Sequence, residues 1–212
     1  MCAPAARSGL YARFFAGCMH RADGTDQRLY GARKTQLLGD LTGTVVEIGA
    51  GAGPNARYLA PGTRWIPVEP NVHMHPYLRE QADAHGLEVQ PEVGIAEALP
   101  VDDASVDAVV STLVLCSVDD VAQALAEVRR VLKPGGRFVF IEHVADQPGT
   151  IRYGAQRVLR RPWGWVADGC RPDRATGDAI EAAGFASVDQ ERFDADLPFN
   201  LVRPHIAGVA IR

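Results

Sequence analysis

The sequence predicts an α/β fold: a seven-stranded, mostly parallel sheet with helices on both faces. Three observations carry that expectation. Short apolar runs alternate with stretches of helical period along most of the chain. The first run, Val45-Val46-Glu47-Ile48, enters alternating glycines, Gly49-Ala50-Gly51-Ala52-Gly53, ahead of a helical segment. Finally, 47% hydrophobic and 23% charged residues in a chain of 212 describe one globular domain, 1–212, with enough mass to bury a core.

Taken in order, strands are expected at 44–48, 64–69, 89–93, 106–111, 137–141, 186–193 and 205–211, and helices at 54–59, 74–85, 121–132 and 174–183. The helix 121–132 places Val121, Leu125, Val128 and Leu132 on one face. It should stop at Lys133-Pro134-Gly135-Gly136, because Pro134 disfavours helical geometry at Lys133 and the glycines permit a turn into the next strand. The last strand is expected to run antiparallel. Two regions stand outside the alternation: a helical cap or substrate lid at 1–41, carrying Tyr11, Phe14 and Phe15, and an active-site insertion at 149–173, carrying Trp163, Trp165, Asp168 and Cys170. Both are expected to cover the carboxyl ends of the strands, where ligands bind in open α/β sheets.

Charge and cysteine usage exclude several partners. A net charge of -4, from 22 basic against 26 acidic residues, leaves no surplus to neutralise phosphates, so nucleic acid is not expected. Cys2, Cys18, Cys116 and Cys170 form no CxxC pair and no Cys/His cluster at zinc spacing, so no metal is expected and a reducing cytoplasm fits. No apolar run is long enough for a secretory signal or a membrane span.

The glycine loop specifies its ligand further. Glycine is needed where a side chain would keep the backbone from a ligand or where the turn needs a positive φ, although a tight turn without any ligand meets the same pattern. Pro54 occupies the position of the third glycine of a dinucleotide-binding loop, and Glu47 would repel a pyrophosphate but attract an ammonium group. The ligand should therefore carry a cation rather than phosphates. Glu69, in Val68-Glu69-Pro70-Asn71 at about 20 residues beyond Gly49, is placed to accept hydrogen bonds from ribose hydroxyls.

With these features the chain resembles the class I S-adenosylmethionine-dependent methyltransferases, which have a Rossmann-like fold. The resemblance extends over Gly94-Ile95-Ala96-Glu97-Ala98-Leu99-Pro100, Asp107 and Val131-Leu132-Lys133-Pro134-Gly135-Gly136. It implies S-adenosylmethionine as cofactor and S-adenosylhomocysteine as product. By that resemblance Gly49, Gly51 and Gly53 shape the methionine end, Glu69 holds the ribose, Ala96 and Glu97 lie beside the adenine, Leu113 packs near adenine or sulfonium, and Glu47, Ala50, Asn55 and Pro70 complete the cofactor-binding set. Where many relatives have an aspartate before the alanine, this chain has Ile95, expected as a core residue.

Four downstream segments, Thr112–Val118, Ile141-Glu142-His143-Val144, Asp168-Gly169-Cys170 and Leu201-Val202-Arg203-Pro204-His205-Ile206, are similar to the small-molecule thiol S-methyltransferases of animals. The animal proteins carry an apolar N-terminal anchor that this chain does not show, implying a soluble version, monomer or homodimer. The resemblance implies methyl transfer to the sulfur of a small hydrophobic thiol or dithiol, in detoxification or in tailoring a sulfur-containing metabolite. A thiol is already partly thiolate at neutral pH, so alignment and desolvation suffice with at most modest acid–base help, for which His143, Asp168 and His205 are the candidates. Tyr11, Phe14, Phe15, Cys116, Trp163, Trp165 and Arg203 are expected to bind the acceptor. Two alternatives stand beside this one: carbon or oxygen methylation of a quinone-like or phenolic metabolite, and a non-catalytic sensor of the cofactor.

Overall fold

The computed structural model describes residues 9–21, 23–167 and 169–212. Its centre is β1 (Thr44–Ile48), where Val45, Val46 and Ile48 are fully enclosed, as a strand covered on both faces requires. It pairs in parallel with β2 (Arg64–Val68) and β4 (Val106–Thr112), β2 with β3 (Glu88–Val89), and β4 with β5 (Leu132–His143). The chain closes with β6 (Ser187–Asp194) and β7 (Pro204–Ile211); β7 lies antiparallel between β5 and β6. The spatial order β3-β2-β1-β4-β5-β7-β6 is the seven-stranded, mostly parallel sheet with an antiparallel last strand that the sequence predicts.

Alternate residues of β1 feed two cores. Val46 and Ile48 join Ile66, Val109 and Phe140 on one face, covered by α4 (Val121–Val131) through Leu125 and Val128. Val45, Trp65, Val110 and Val139 form the other face, covered by Leu78 of α3 (His75–His85) and by Leu38 at the end of α2 (Asp23–Leu38). Each large apolar side chain so enclosed contributes about 1.5–3 kcal/mol. α4 begins where the Asp120 carboxylate accepts the Gln123 N–H, and α3 ends where Gly86 takes φ 66°.

Three elements depart most from expectation, and the other expected strands and helices shift by at most two residues at their ends. The third strand, expected at 89–93, is regular only over Glu88–Val89; Pro91 has no N–H to give, although Gln90 and Glu92 still donate to the Trp65 and Pro67 carbonyls. The helix expected at 54–59 is a single 3-10 turn at Ala56–Tyr58, since Gly53 enters at φ 83° and Leu59 is already extended. β5 starts at Leu132 instead of 137. Val106 pairs with Leu132 and Ala108 with Arg137, so Lys133-Pro134-Gly135-Gly136 bulges out of the ladder between them.

Above the carboxyl ends of the strands lie α1 (Leu10–Arg21) and α2, and beside them α5 (Ile151–Val166), capped by the Thr150 hydroxyl. A short α6 (Thr176–Ala182) leads to β6. α2 is tied to the sheet: Tyr30 is buried with its hydroxyl 3.0 Å from His205 Nε2, and Arg33 pairs with Glu191 and covers the Phe193 ring. No helix among the described residues is long and apolar enough to cross a membrane.

Candidate functional site

Because β1 has β2 on one side and β4 on the other, the loops leaving β1 and β4 diverge and open a crevice between them. A cavity of about 1000 Å³ fills it, roofed by α1 and α2. The glycine loop forms one wall. Gly49 donates its N–H to Val68 O, and with φ 59° a Cβ there would lie 2.6 Å from Val114 Cγ2. Gly51, at φ 56°, would point a Cβ into open space, so the bare backbone faces the cavity. Gly53 does otherwise: it lies behind the loop, where a Cβ would crowd Trp65 and Leu78, and its role is packing rather than the cofactor contact expected of it.

The polar groups of this wall are held by their own surroundings. Glu47 is buried and accepts hydrogen bonds from Asn55 Nδ2 and Trp65 Nε1, each at 2.9 Å. Burial raises its pKa to about 7, against the pull of Lys34, Asn55 and Trp65. Asn55 Oδ1 is buried without a hydrogen-bond partner among the described residues. Glu69 accepts the N–H groups of Gly51 and Asn71, both at 2.9 Å, and Asn71 in turn donates its side-chain amide to Ala12 O of α1. Pro70, Ala50 and Ala96 line the cavity. Glu97 lines it too, while its carboxylate accepts the N–H groups of Asp119 and Asp120. Ile95, expected in the core, is half-buried and faces the cavity. Leu113 also faces it, held at φ 60°, a left-handed conformation that costs a non-glycine residue roughly 1–2 kcal/mol.

Leu113 marks the passage to the cavity's second end, assembled from four elements. Cys116 follows β4, His143 ends β5, Cys170 follows α5 and His205 opens β7; all four are buried and line the cavity. His143 Nε2 lies 2.7 Å from Cys170 Sγ, which also accepts Trp163 Nε1–H at 3.3 Å. The neighbouring Cys170 and burial push the Cys116 thiol well above its ordinary range, whereas the bond from Cys116, against burial and with help from Trp163, holds Cys170 below it. Any thiolate charge therefore rests on Cys170. His205 Nδ1 donates to the Arg203 carbonyl at 2.8 Å, leaving Nε2 to accept the Tyr30 hydroxyl. Burial lowers its pKa to about 4, so it is a neutral, already partnered imidazole. Glu142, buried beneath this end, accepts Ser111 Oγ–H and the N–H groups of Val114 and Leu115, which fixes the loop that carries Cys116.

Tyr11 and Phe15 of α1 and Trp163 of α5 line the cavity, but three residues expected beside them do not. Phe14 and Trp165 lie on the outer faces of α1 and α5, 70% and 84% exposed. Arg203 turns away to donate to Leu197 O and to pair with Asp196. Asp168 lies outside the described residues. Tyr30, Asn71, Cys170 and Glu142, absent from the expected set, are integral to the site. Tyr30 sits in a polar helix with no motif around it, whereas the Asn71 side chain follows Glu69 closely enough to be found by asking what fixes that carboxylate. The expected absence of a Cys/His cluster also needs correction, since Cys116, His143 and Cys170 offer ligand atoms all within 4.8 Å of one another. Their separation along the chain conceals this.

A family model described as a methyltransferase domain matches residues 46–140, from β1 through most of β5. The human thiol S-methyltransferase TMT1A is 40% identical over 172 residues, spanning 80% of this chain and 70% of its own length. The chain belongs to the thiol S-methyltransferase family. It is accordingly an S-adenosylmethionine-dependent methyltransferase, and S-adenosylmethionine is its cofactor. A ubiquinone/menaquinone C-methyltransferase of Rubrivivax gelatinosus is more distant, 28% identical over 84% of this chain and 76% of its own. A solved structure of an S-adenosylmethionine-dependent methyltransferase from Thermotoga maritima, described as a possible histamine N-methyltransferase, shares the fold with a TM-score of 0.64 at 21% identity, covering 94% of this chain and 96% of its own.

Proposed function

We propose that this methyltransferase moves the methyl group of S-adenosylmethionine to the sulfur of a small hydrophobic thiol or dithiol. The cofactor's chemistry fits the first end of the cavity. The orphaned Asn55 Oδ1 and the buried Glu47 suit an ammonium group, Glu69 suits a ribose diol, and the bare Gly51 backbone permits close approach. When bound, S-adenosylmethionine supplies an electrophilic methyl on a sulfonium.

The observation that carries the acceptor assignment is the second end. It is walled by Leu29, Trp163, Leu197 and Val202, and its sheet-borne His205 is neutral, partnered and a weak base. Such a wall strips water from a nucleophile and holds it in line, which is what a thiol requires and less than a carbon acid or alcohol requires. The named activity of the human relative agrees with this reading. We assign 1–41 the role of lid and 149–173 that of active-site insertion within one domain, Cys116 and Trp163 acceptor contacts, and a reducing, cytoplasmic setting in which the buried cysteines stay free of disulfides. The chain then serves thiol detoxification or the tailoring of a sulfur-containing metabolite, as a monomer or homodimer.

The test pairs aryl and aliphatic thiols with their oxygen analogues, incubates each with purified protein and S-adenosylmethionine, and reads products by mass spectrometry. Methylated thiols with inert phenols are expected. Phenol or quinol turnover with inert thiols overturns the assignment, and cofactor binding without any turnover replaces it with a sensor.

A further inference from the structure

The geometry points to a zinc site at Cys116, His143 and Cys170 that holds the acceptor sulfur; this rests on the thiol reading above. The three side chains come from the loop after β4, the end of β5 and the segment after α5, are all buried, and present their ligand atoms to the same cavity. Two sulfurs and one imidazole are a donor set that selects zinc over hard cations, and three protein ligands with one position left open are the pattern of catalytic rather than structural zinc. Zinc–sulfur and zinc–nitrogen bonds of about 2.3 and 2.0 Å put the ligand atoms of one tetrahedron roughly 3.6 Å apart, so the triad, within 4.8 Å, needs side-chain adjustments of only about 1 Å.

The surroundings hold the triad in place. Arg171 N–H donates to Cys116 O, and Arg174 donates to Leu115 O and Val118 O, so the Cys116 and Cys170 segments are bolted together. Trp163 Nε1–H on Cys170 Sγ is an outer-shell bond of the kind that orients a metal-bound thiolate. All three residues line the cavity, so a fourth position would be open to a ligand held there.

An acceptor thiol taking that position gives up its proton to solvent and is held as a thiolate at neutral pH. Its sulfur lone pair forms the new S–CH₃ bond while the methyl's bond to the sulfonium breaks, that electron pair staying on the departing sulfur. The methylated acceptor is a neutral thioether, a weak ligand for zinc, and leaves.

The full chain, purified under reductant without chelator, should contain about one zinc per molecule. Zinc should slow alkylation of Cys116 and Cys170 at least about tenfold relative to exposed Cys18, read by peptide mass spectrometry. Cobalt in its place should give a thiolate charge-transfer band that is lost in the Cys116→Ser, Cys170→Ser double variant, and Trp163→Phe should weaken zinc about tenfold. Folded, reduced wild-type protein that takes up no zinc, or whose Cys116 and Cys170 alkylate at the same rate with and without it, overturns the site. Thiol methylation at an undiminished rate by metal-free protein overturns its role in activating the acceptor and leaves the proposed function standing; zinc bound at the triad with no thiol methylated overturns the proposed function, and the acceptor role with it, and leaves the metal site standing.

Discussion

The two ends of the cavity are built in opposite ways. The cofactor end comes from short stretches, and its two wall carboxylates take hydrogen bonds from residues 2 to 18 positions away: Glu69 from Gly51 and Asn71, Glu47 from Asn55 and Trp65. The acceptor end joins Cys116, His143, Cys170 and His205 from four elements, fixed by contacts such as Tyr30 to His205 that bridge distant parts of the chain. Local construction makes a site that a family shares; long-range construction makes one that loop and helix changes can retune for a different acceptor.

The contrast can be broken most forcefully at the glycine loop. Gly49→Ala adds a Cβ 2.6 Å from Val114 at φ 59°, and should destabilise the fold by about 3 kcal/mol in denaturant titrations. Gly51→Ala, with open space around its Cβ, should cost about 1 kcal/mol of stability yet weaken cofactor binding in calorimetry. Equal destabilisation by both would show that the loop is scaffold alone. Next in size, Glu69→Ala removes an acceptor shared by two backbone N–H groups and should lower cofactor affinity about 30-fold, roughly 2 kcal/mol, while the KM for the acceptor stays put if the two ends are independent.

The titration of Glu47 sharpens the comparison further. Its pKa of about 7 means the folded protein binds that proton more tightly than the unfolded chain does, so its contribution to stability is full below 4.5 and is lost as pH rises through 7. A cationic cofactor favours the ionised form. Affinity should therefore fall by up to about tenfold per pH unit below 7, and Glu47→Gln should flatten that profile. The smallest effect belongs to the other end. Tyr30→Phe leaves His205 Nε2 without its donor and should cost about 1 kcal/mol of stability with cofactor affinity unchanged.

What the sequence displays follows the same division. The strands of β1, β2, β4, β6 and β7 are legible because each is a bounded apolar or alternating run, and the glycine loop because its spacing is local. β3 and the start of β5 are misplaced because proline and glycine there interrupt pairing without ending it, which depends on the partner strand rather than on the residues themselves. At the acceptor end, the resemblance to the thiol S-methyltransferases brings out Cys116, His143 and His205 but not Tyr30 beside them. Whether Trp163 or Trp165 points inward is decided by the face on which α5 packs, and Arg203 is drawn off by a carbonyl six positions earlier in the chain.

Asn71 joins the floor of the cofactor end to the roof above it. Its N–H rests on Glu69 and its side-chain amide carries Ala12 of α1. A ligand that settles against Glu69 thus steadies the residue from which the first cap helix hangs, whereas α2 is already secured to the sheet edge through Tyr30 and Arg33. In kinetic terms the first substrate to enter settles the roof that closes the cavity over the second. Turnover should be compulsory-ordered, cofactor first, and product inhibition by S-adenosylhomocysteine should be competitive against S-adenosylmethionine and noncompetitive against the acceptor.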